Sequence, residues 1–130
     1  MFIWILFSHI IADFFFQPKD LAFYKKQEPV LCAIHCTIYT FVLSCIIAFG
    51  TDLKWWQPIL VFITHFIVDA FPVVEKWCEW MRIRTWYSEV NFDSLPPTKE
   101  EVVHISFGSL VYVVLDNTLH LLSLLLIFGG

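Results

Sequence analysis

Apolar residues gather in four long stretches, at about residues 2–17, 30–49, 55–75 and 102–128, with short polar segments between them. A helix rising about 1.5 Å per residue needs roughly 20 residues to cross a hydrocarbon layer about 30 Å thick, and about 17 is near the lower limit. The pattern predicts four membrane-spanning helices, the first short and the fourth long. Thr98, followed three residues later by Glu101, gives the start of the fourth the form of a capping box. That helix is expected to begin in water and to enter the apolar layer near Ser109. The segment from Lys76 to Tyr87 mixes Trp77, Trp80 and Trp86 with Arg82 and Arg84, the pattern of a short interfacial helix in the third loop, where amphipathic rings meet headgroups. The expected fold is all-α, a polytopic membrane four-helix bundle forming one domain over residues 1–130.

Composition supports a lipid-embedded chain. The sequence is 58% hydrophobic and 18% aromatic but only 15% charged, against roughly 25% charged in an ordinary soluble domain. The net charge of −4 leaves no basic face for nucleic acid. Phe2 to Phe7 lacks the basic start and small-residue cleavage site of a secretory signal, so it is expected to be a retained span. Lys19, Lys25 and Lys26 lie between the first two spans, and Lys76, Arg82, Arg84 and Lys99 between the last two, with Lys54 alone on the other side. By the positive-inside rule both long loops face the cytoplasm and both termini lie outside it. Cys32, Cys36 and Cys45 share one apolar stretch and are expected to be reduced, small core residues.

Ionisable residues interrupt the apolar stretches at regular places. His9 and Asp13 lie in the first, His35 and Tyr39 in the second, His65 and Asp69 in the third, and Asp116 and His120 in the fourth. Each such group costs a few kcal/mol at mid-bilayer even on the mildest insertion scale, so partners are required. Residues four apart share a helix face, about 6 Å apart along the axis. The order is His before Asp in the first and third spans and Asp before His in the fourth, which runs the opposite way through the membrane. All three pairs therefore place the carboxylate nearer the cytoplasm and the imidazole one turn deeper. A carboxylate layer beside an imidazole layer is what a metal site in a bundle core requires.

The expected ligands are His9, Asp13, His65, Asp69, Asp116 and His120, with His35 a further ligand or the general base and His65 serving catalysis as well. Imidazole and carboxylate suit a divalent transition metal, zinc first and iron or manganese as alternatives, and this many donors admits one or two ions. Tyr39, Gln17, Lys19 and Asn117 are expected around the ligands or on the substrate. Cys32, three residues before His35, is an alternative thiolate ligand, and His104 is expected to be solvated. A purely structural polar network is the plain alternative.

His9-x-x-x-Asp13-Phe14-x-x-Gln17 with Lys19 soon after, His35-x-x-x-Tyr39, His65-x-x-x-Asp69 and Asp116-x-x-x-His120 together resemble a family of small four-span bacterial and phage membrane proteins of unknown function, DUF3307-like. The likeness covers nearly the whole chain. It is more distantly similar to predicted membrane-bound metal-dependent hydrolases, which likewise place His and Asp on short bundles of spans. The family pattern carries Gln after the fourth-span Asp; this chain has Asn117, which keeps a side-chain amide there.

The function expected from these residues is metal-dependent hydrolysis of a lipid or lipid-linked phosphate or ester from the cytoplasmic side. The partners are then membrane lipid and a small amphiphilic substrate, with self-association into a homo-oligomer left open. Two other classes stand beside it. Histidines on all four helices suit haem in an electron-transfer bundle, and buried Asp and His also mark ion or proton conduits and sensors. A non-haem iron oxidase is a further variant of the metal reading.

Overall fold

A computed structural model describes residues 2–15, 28–83 and 99–129, apart from the side chains at 99–101, 104 and 105. The described residues hold helices and no strand. Helix α1 covers Phe2–Ile10 and runs on into a widened, π-helical turn at Ile11–Phe15. Helix α2 is Pro29–Gly50, α3 Gln57–Ala70, α4 Val73–Trp80 and α5 Lys99–Phe128.

Local sequence sets these boundaries. Pro29 and Pro58 stand in the first turns of α2 and α3, where the missing N–H is not needed and the fixed φ suits a helix. The third apolar stretch, predicted as one span, is interrupted at Phe71 and Pro72. Proline pushes the residue before it out of the helical region, and Phe71 is extended, with φ −105° and ψ 142°. Helix α4 stops without glycine: Arg82 takes the left-handed conformation at φ 55°. The Arg82 N–H then donates to the Glu79 carbonyl at 3.0 Å and the Ile83 N–H to the Cys78 carbonyl at 2.8 Å, the paired bonds of a Schellman stop.

Two helices, Pro29–Gly50 and the Ser106–Phe128 part of α5, are long and apolar enough to cross a membrane. They become three if α3 and α4 count as one interrupted span, and Phe2–Phe15 is a shorter apolar helix.

The chain packs into two compact units. The first comprises Met1–Phe71 with Leu119–Gly130. In it α2 packs against both α1 and α3, burying the stripe Cys32, His35, Cys36, Tyr39, Leu43 and Ile47, one face of a helix at spacings of three and four. Ile5, Leu43, Ile47, Val61, Leu124, Ile127 and Phe128 form its apolar core. Gln57 ties the start of α3 to the end of α5. Its Nε2 donates to the Ile127 carbonyl at 3.1 Å while its Oε1 accepts the Lys54 N–H at 2.8 Å, so one side chain satisfies a carbonyl that the end of α5 leaves unpaired and an N–H of the segment before α3.

The second unit is Pro72–Thr118. Its buried residues include Val74, Cys78 and Tyr112, and the Tyr112 hydroxyl donates to Glu75 Oε1 at 2.9 Å.

The first unit distributes polarity opposite to a soluble domain. His9, Asp13, His35, His65, Asp69 and His120 are buried, whereas Phe15, Phe49 and Trp55 are 84%, 90% and 81% exposed. Lipid removes the penalty on such a surface, since tails are as apolar as the side chains they meet.

Candidate metal centre

Three helices and the widened turn of α1 bring the site together within the first unit. Asp13 sits in that turn, His35 is about one turn and a half into α2, and His65 and Asp69 share a face near the end of α3. Widened turns recur at functional sites because the extra residue re-aims the side chains around it. His35 is the hub. Its Nε2 lies 3.0 Å from His65 Nε2, 3.3 Å from Asp13 Oδ1 and 3.2 Å from Asp69 Oδ2. His65 Nε2 is in turn 3.4 Å from Asp69 Oδ2.

Proton bookkeeping alone does not account for this arrangement. An imidazole Nε2 carries at most one proton, yet three basic atoms surround that of His35 within 3.3 Å. Four ligands placed tetrahedrally at about 2.0–2.1 Å from one ion stand roughly 3.3–3.4 Å from each other. The separations of His35 Nε2 from its three neighbours, 3.0–3.3 Å, and of His65 from Asp69, 3.4 Å, lie close to that range. Charge points the same way: two buried carboxylates with two neutral imidazoles balance one divalent cation, whereas buried unpaired charge is costly. Asp13, His35 and His65 thus form one group of donors that could hold a metal ion.

The surrounding side chains orient the donors. His120 Nε2 is 3.3 Å from Asp69 Oδ1, the oxygen turned away from His35. The Tyr39 ring stacks on His65 with centroids 3.6 Å apart and planes 17° from parallel, and its hydroxyl is hydrogen-bonded to His9 Nδ1 at 2.8 Å. His120 also stacks on His65, at 4.1 Å. Outer partners of this kind fix the tautomer and plane of a ligating ring.

The sequence-predicted residues therefore fall into groups. Asp13, His35, His65 and Asp69 converge; His120 adjoins Asp69, and His9 reaches the cluster through Tyr39. Asp116 stands one turn before His120 on α5 and belongs to the second unit, half-buried. Asn117 turns its amide back on its own helix, donating to the Val113 carbonyl at 2.8 Å. Gln17, Lys19, Lys25, Lys26, Arg84 and the side chain of His104 lie outside the described residues.

Cys36 is the donor that the spacing of His and Asp did not single out. It is fully buried, and with His65 and Asp69 it forms a second group whose donor atoms all lie within 4.8 Å of one another. Its position three residues before Tyr39 was the available signal, since that spacing places both on one face.

No curated protein and no solved structure matches the chain. A family profile does, over residues 1–129, and the chain with this buried His/Asp cluster belongs to the family described as Protein of unknown function (DUF3307).

Proposed function

We propose that this chain is a four-span protein of a bacterial inner membrane, with both termini outside the cytoplasm. In this reading it is a metal-dependent hydrolase of lipid or lipid-linked phosphates or esters, reached from the cytoplasmic side. The observation that carries the metal assignment is the crowding of Asp13, His65 and Asp69 within 3.0–3.3 Å of His35 Nε2, with Asp13, His35 and His65 forming a group that could hold an ion. Zinc is the first assignment, with iron or manganese accepted by the same donors. Haem fits less well. Two axial nitrogens on one haem iron stand roughly 4 Å apart with the macrocycle between them, and those of His35 and His65 are 3.0 Å apart.

A bound divalent cation supplies hydroxide near neutral pH by lowering the pKa of its water toward about 7. The protein's own residues do the rest. Asp13, His35, His65 and Asp69 would hold the ion. His120 steadies Asp69. Tyr39 fixes the plane of His65 and keeps His9 in place. Lys19, Lys25, Lys26, Arg82 and Arg84, on the cytoplasmic side, attract an anionic headgroup while its scissile bond dips to the metal.

Detergent-purified protein loaded with zinc, iron or manganese is to be assayed on a panel of lipid phosphates, lipid-linked phosphates and lipid esters. The expected result is release of phosphate or headgroup that chelator abolishes and that His65→Ala removes. Metal-loaded protein that turns over none of the panel overturns the hydrolase assignment, and protein that carries a Soret band overturns the metal assignment with it.

A further inference from the structure

The two groups of donors around His65 differ in chemistry. Asp13, His35 and His65 offer oxygen and nitrogen alone; Cys36, His65 and Asp69 add a sulfur. His65 is common to both, and the Cys36 thiol lies within 4.8 Å of a donor atom of His65 and of Asp69. Cys36 is fully buried and makes no disulfide, and His65 Nδ1, on the same ring, is buried with no hydrogen-bond partner. In a tetrahedral shell with bonds of about 2.0–2.3 Å, donor atoms stand roughly 3.3–3.6 Å apart. A spread within 4.8 Å therefore asks the thiol to move by about an ångström at most to join the shell.

We propose that Cys36 is a thiolate ligand of this centre, standing with His35, His65 and Asp69 in a four-donor shell from which Asp13 is displaced, so that charge stays balanced, and that it thereby selects the metal. The inference rests on the proposed metal site and goes beyond it. As the sulfur–metal bond forms, the S–H bond breaks and its proton is released to solvent, because only the thiolate ligates. A thiolate favours zinc, cobalt or ferrous iron and disfavours magnesium and calcium, which take oxygen donors. Cys32, also fully buried and one turn earlier on α2, belongs to neither group of donors among the described residues and serves as the control.

The test is optical and needs no substrate. Full-length protein in detergent is stripped with chelator, loaded with cobalt(II), and its absorption recorded for wild type, Cys36→Ser, Cys36→Ala and Cys32→Ser. Wild type and Cys32→Ser are expected to show both the visible d–d bands of low-coordinate cobalt and a near-ultraviolet thiolate-to-cobalt charge-transfer band. Cys36→Ser and Cys36→Ala are expected to lose the charge-transfer band and keep the visible ones. In competition, wild type is expected to retain cobalt against a thousand-fold excess of magnesium, and Cys36→Ser to bind it at least tenfold more weakly. Visible bands without a charge-transfer band in wild type overturn the thiolate ligand and leave the metal site standing, as does loss of the band in Cys32→Ser alone. Absence of bound cobalt from every protein, wild type included, overturns the metal site and this inference together. If the Cys36 variants do not fold, the spectra of wild type and of Cys32→Ser, Cys45→Ser and Cys78→Ser decide the matter: the band persisting in all four supports Cys36, and its loss in any one of the three overturns it.

Discussion

The two ends of the first unit solve the same packing problem with opposite chemistry. At one end Leu43, Ile47, Val61, Leu124 and Ile127 interlock as an ordinary apolar core. At the other, Asp13, His35, His65 and Asp69 occupy equally buried positions on the same helices. On α2 the change takes place within the single stripe from His35 to Ile47. Apolar groups are held by contact and shape, which need nothing beyond the chain. The ionisable end holds carboxylates and imidazoles that could hold a metal ion, and on the proposed metal reading its stability depends on a cation. Binding at one end and packing at the other should therefore be separable by mutation.

The largest expected effect comes from removing the ion. Ligand at a thousand times its dissociation constant stabilises by about 4 kcal/mol, and for a chain of this size that corresponds to a fall in Tm of about 10 °C or more. Chelation of purified protein should produce that fall, and re-addition of zinc should reverse it, as read by thermal denaturation in detergent. Acidification acts in the same direction, because protons compete with the ion for imidazole and carboxylate. An unchanged Tm on chelation would make the polar end as self-sufficient as the apolar one.

Leu43→Ala comes next. Leu43 is fully buried in the apolar end, and the cavity left by its truncation should cost about 2–3 kcal/mol. The loss should be the same with and without metal, and metal content should stay at the wild-type level. A drop in metal content in Leu43→Ala would show the two ends to be coupled.

Gln57→Leu probes the far end of the apolar core, where one amide serves both the Lys54 N–H and the Ile127 carbonyl. Leaving these groups unpaired should cost about 1–2 kcal/mol, measured by thermal or denaturant unfolding, again with metal content unchanged. Tyr39→Phe is the mildest, because the ring that stacks on His65 remains and only the bond to His9 is lost. The expected cost is about 1 kcal/mol in stability, with a roughly tenfold weaker metal affinity as an outer partner goes. Isothermal titration of zinc distinguishes this from Leu43→Ala, which should leave affinity alone.

Much of this contrast was legible in the sequence. The four-residue spacing of His9 and Asp13, His65 and Asp69, and Asp116 and His120 marks shared helix faces, and His35 with Tyr39 marks the matching face of α2. Pro29 and Pro58 announce their helix starts. Other features depend on geometry that no spacing encodes. The widened turn at Ile11–Phe15 alters where Asp13 points relative to an ideal helix. The interruption at Phe71 lay under a strongly apolar run, although Pro72 was its local signal. Cys36 reads as one more small apolar residue until the fold sets it beside His65 and Asp69. Gln57 reads as a polar helix start until the end of α5 arrives against it.

The most direct test of the account is the metal content of the purified protein, by elemental analysis, for wild type, His35→Ala, Asp69→Asn and Leu43→Ala. The account predicts at least one equivalent of a transition metal in wild type and Leu43→Ala, and near-complete loss in His35→Ala and Asp69→Asn. Wild-type protein that is folded, thermally stable and free of metal after zinc loading would contradict it, as would a full equivalent retained by His35→Ala.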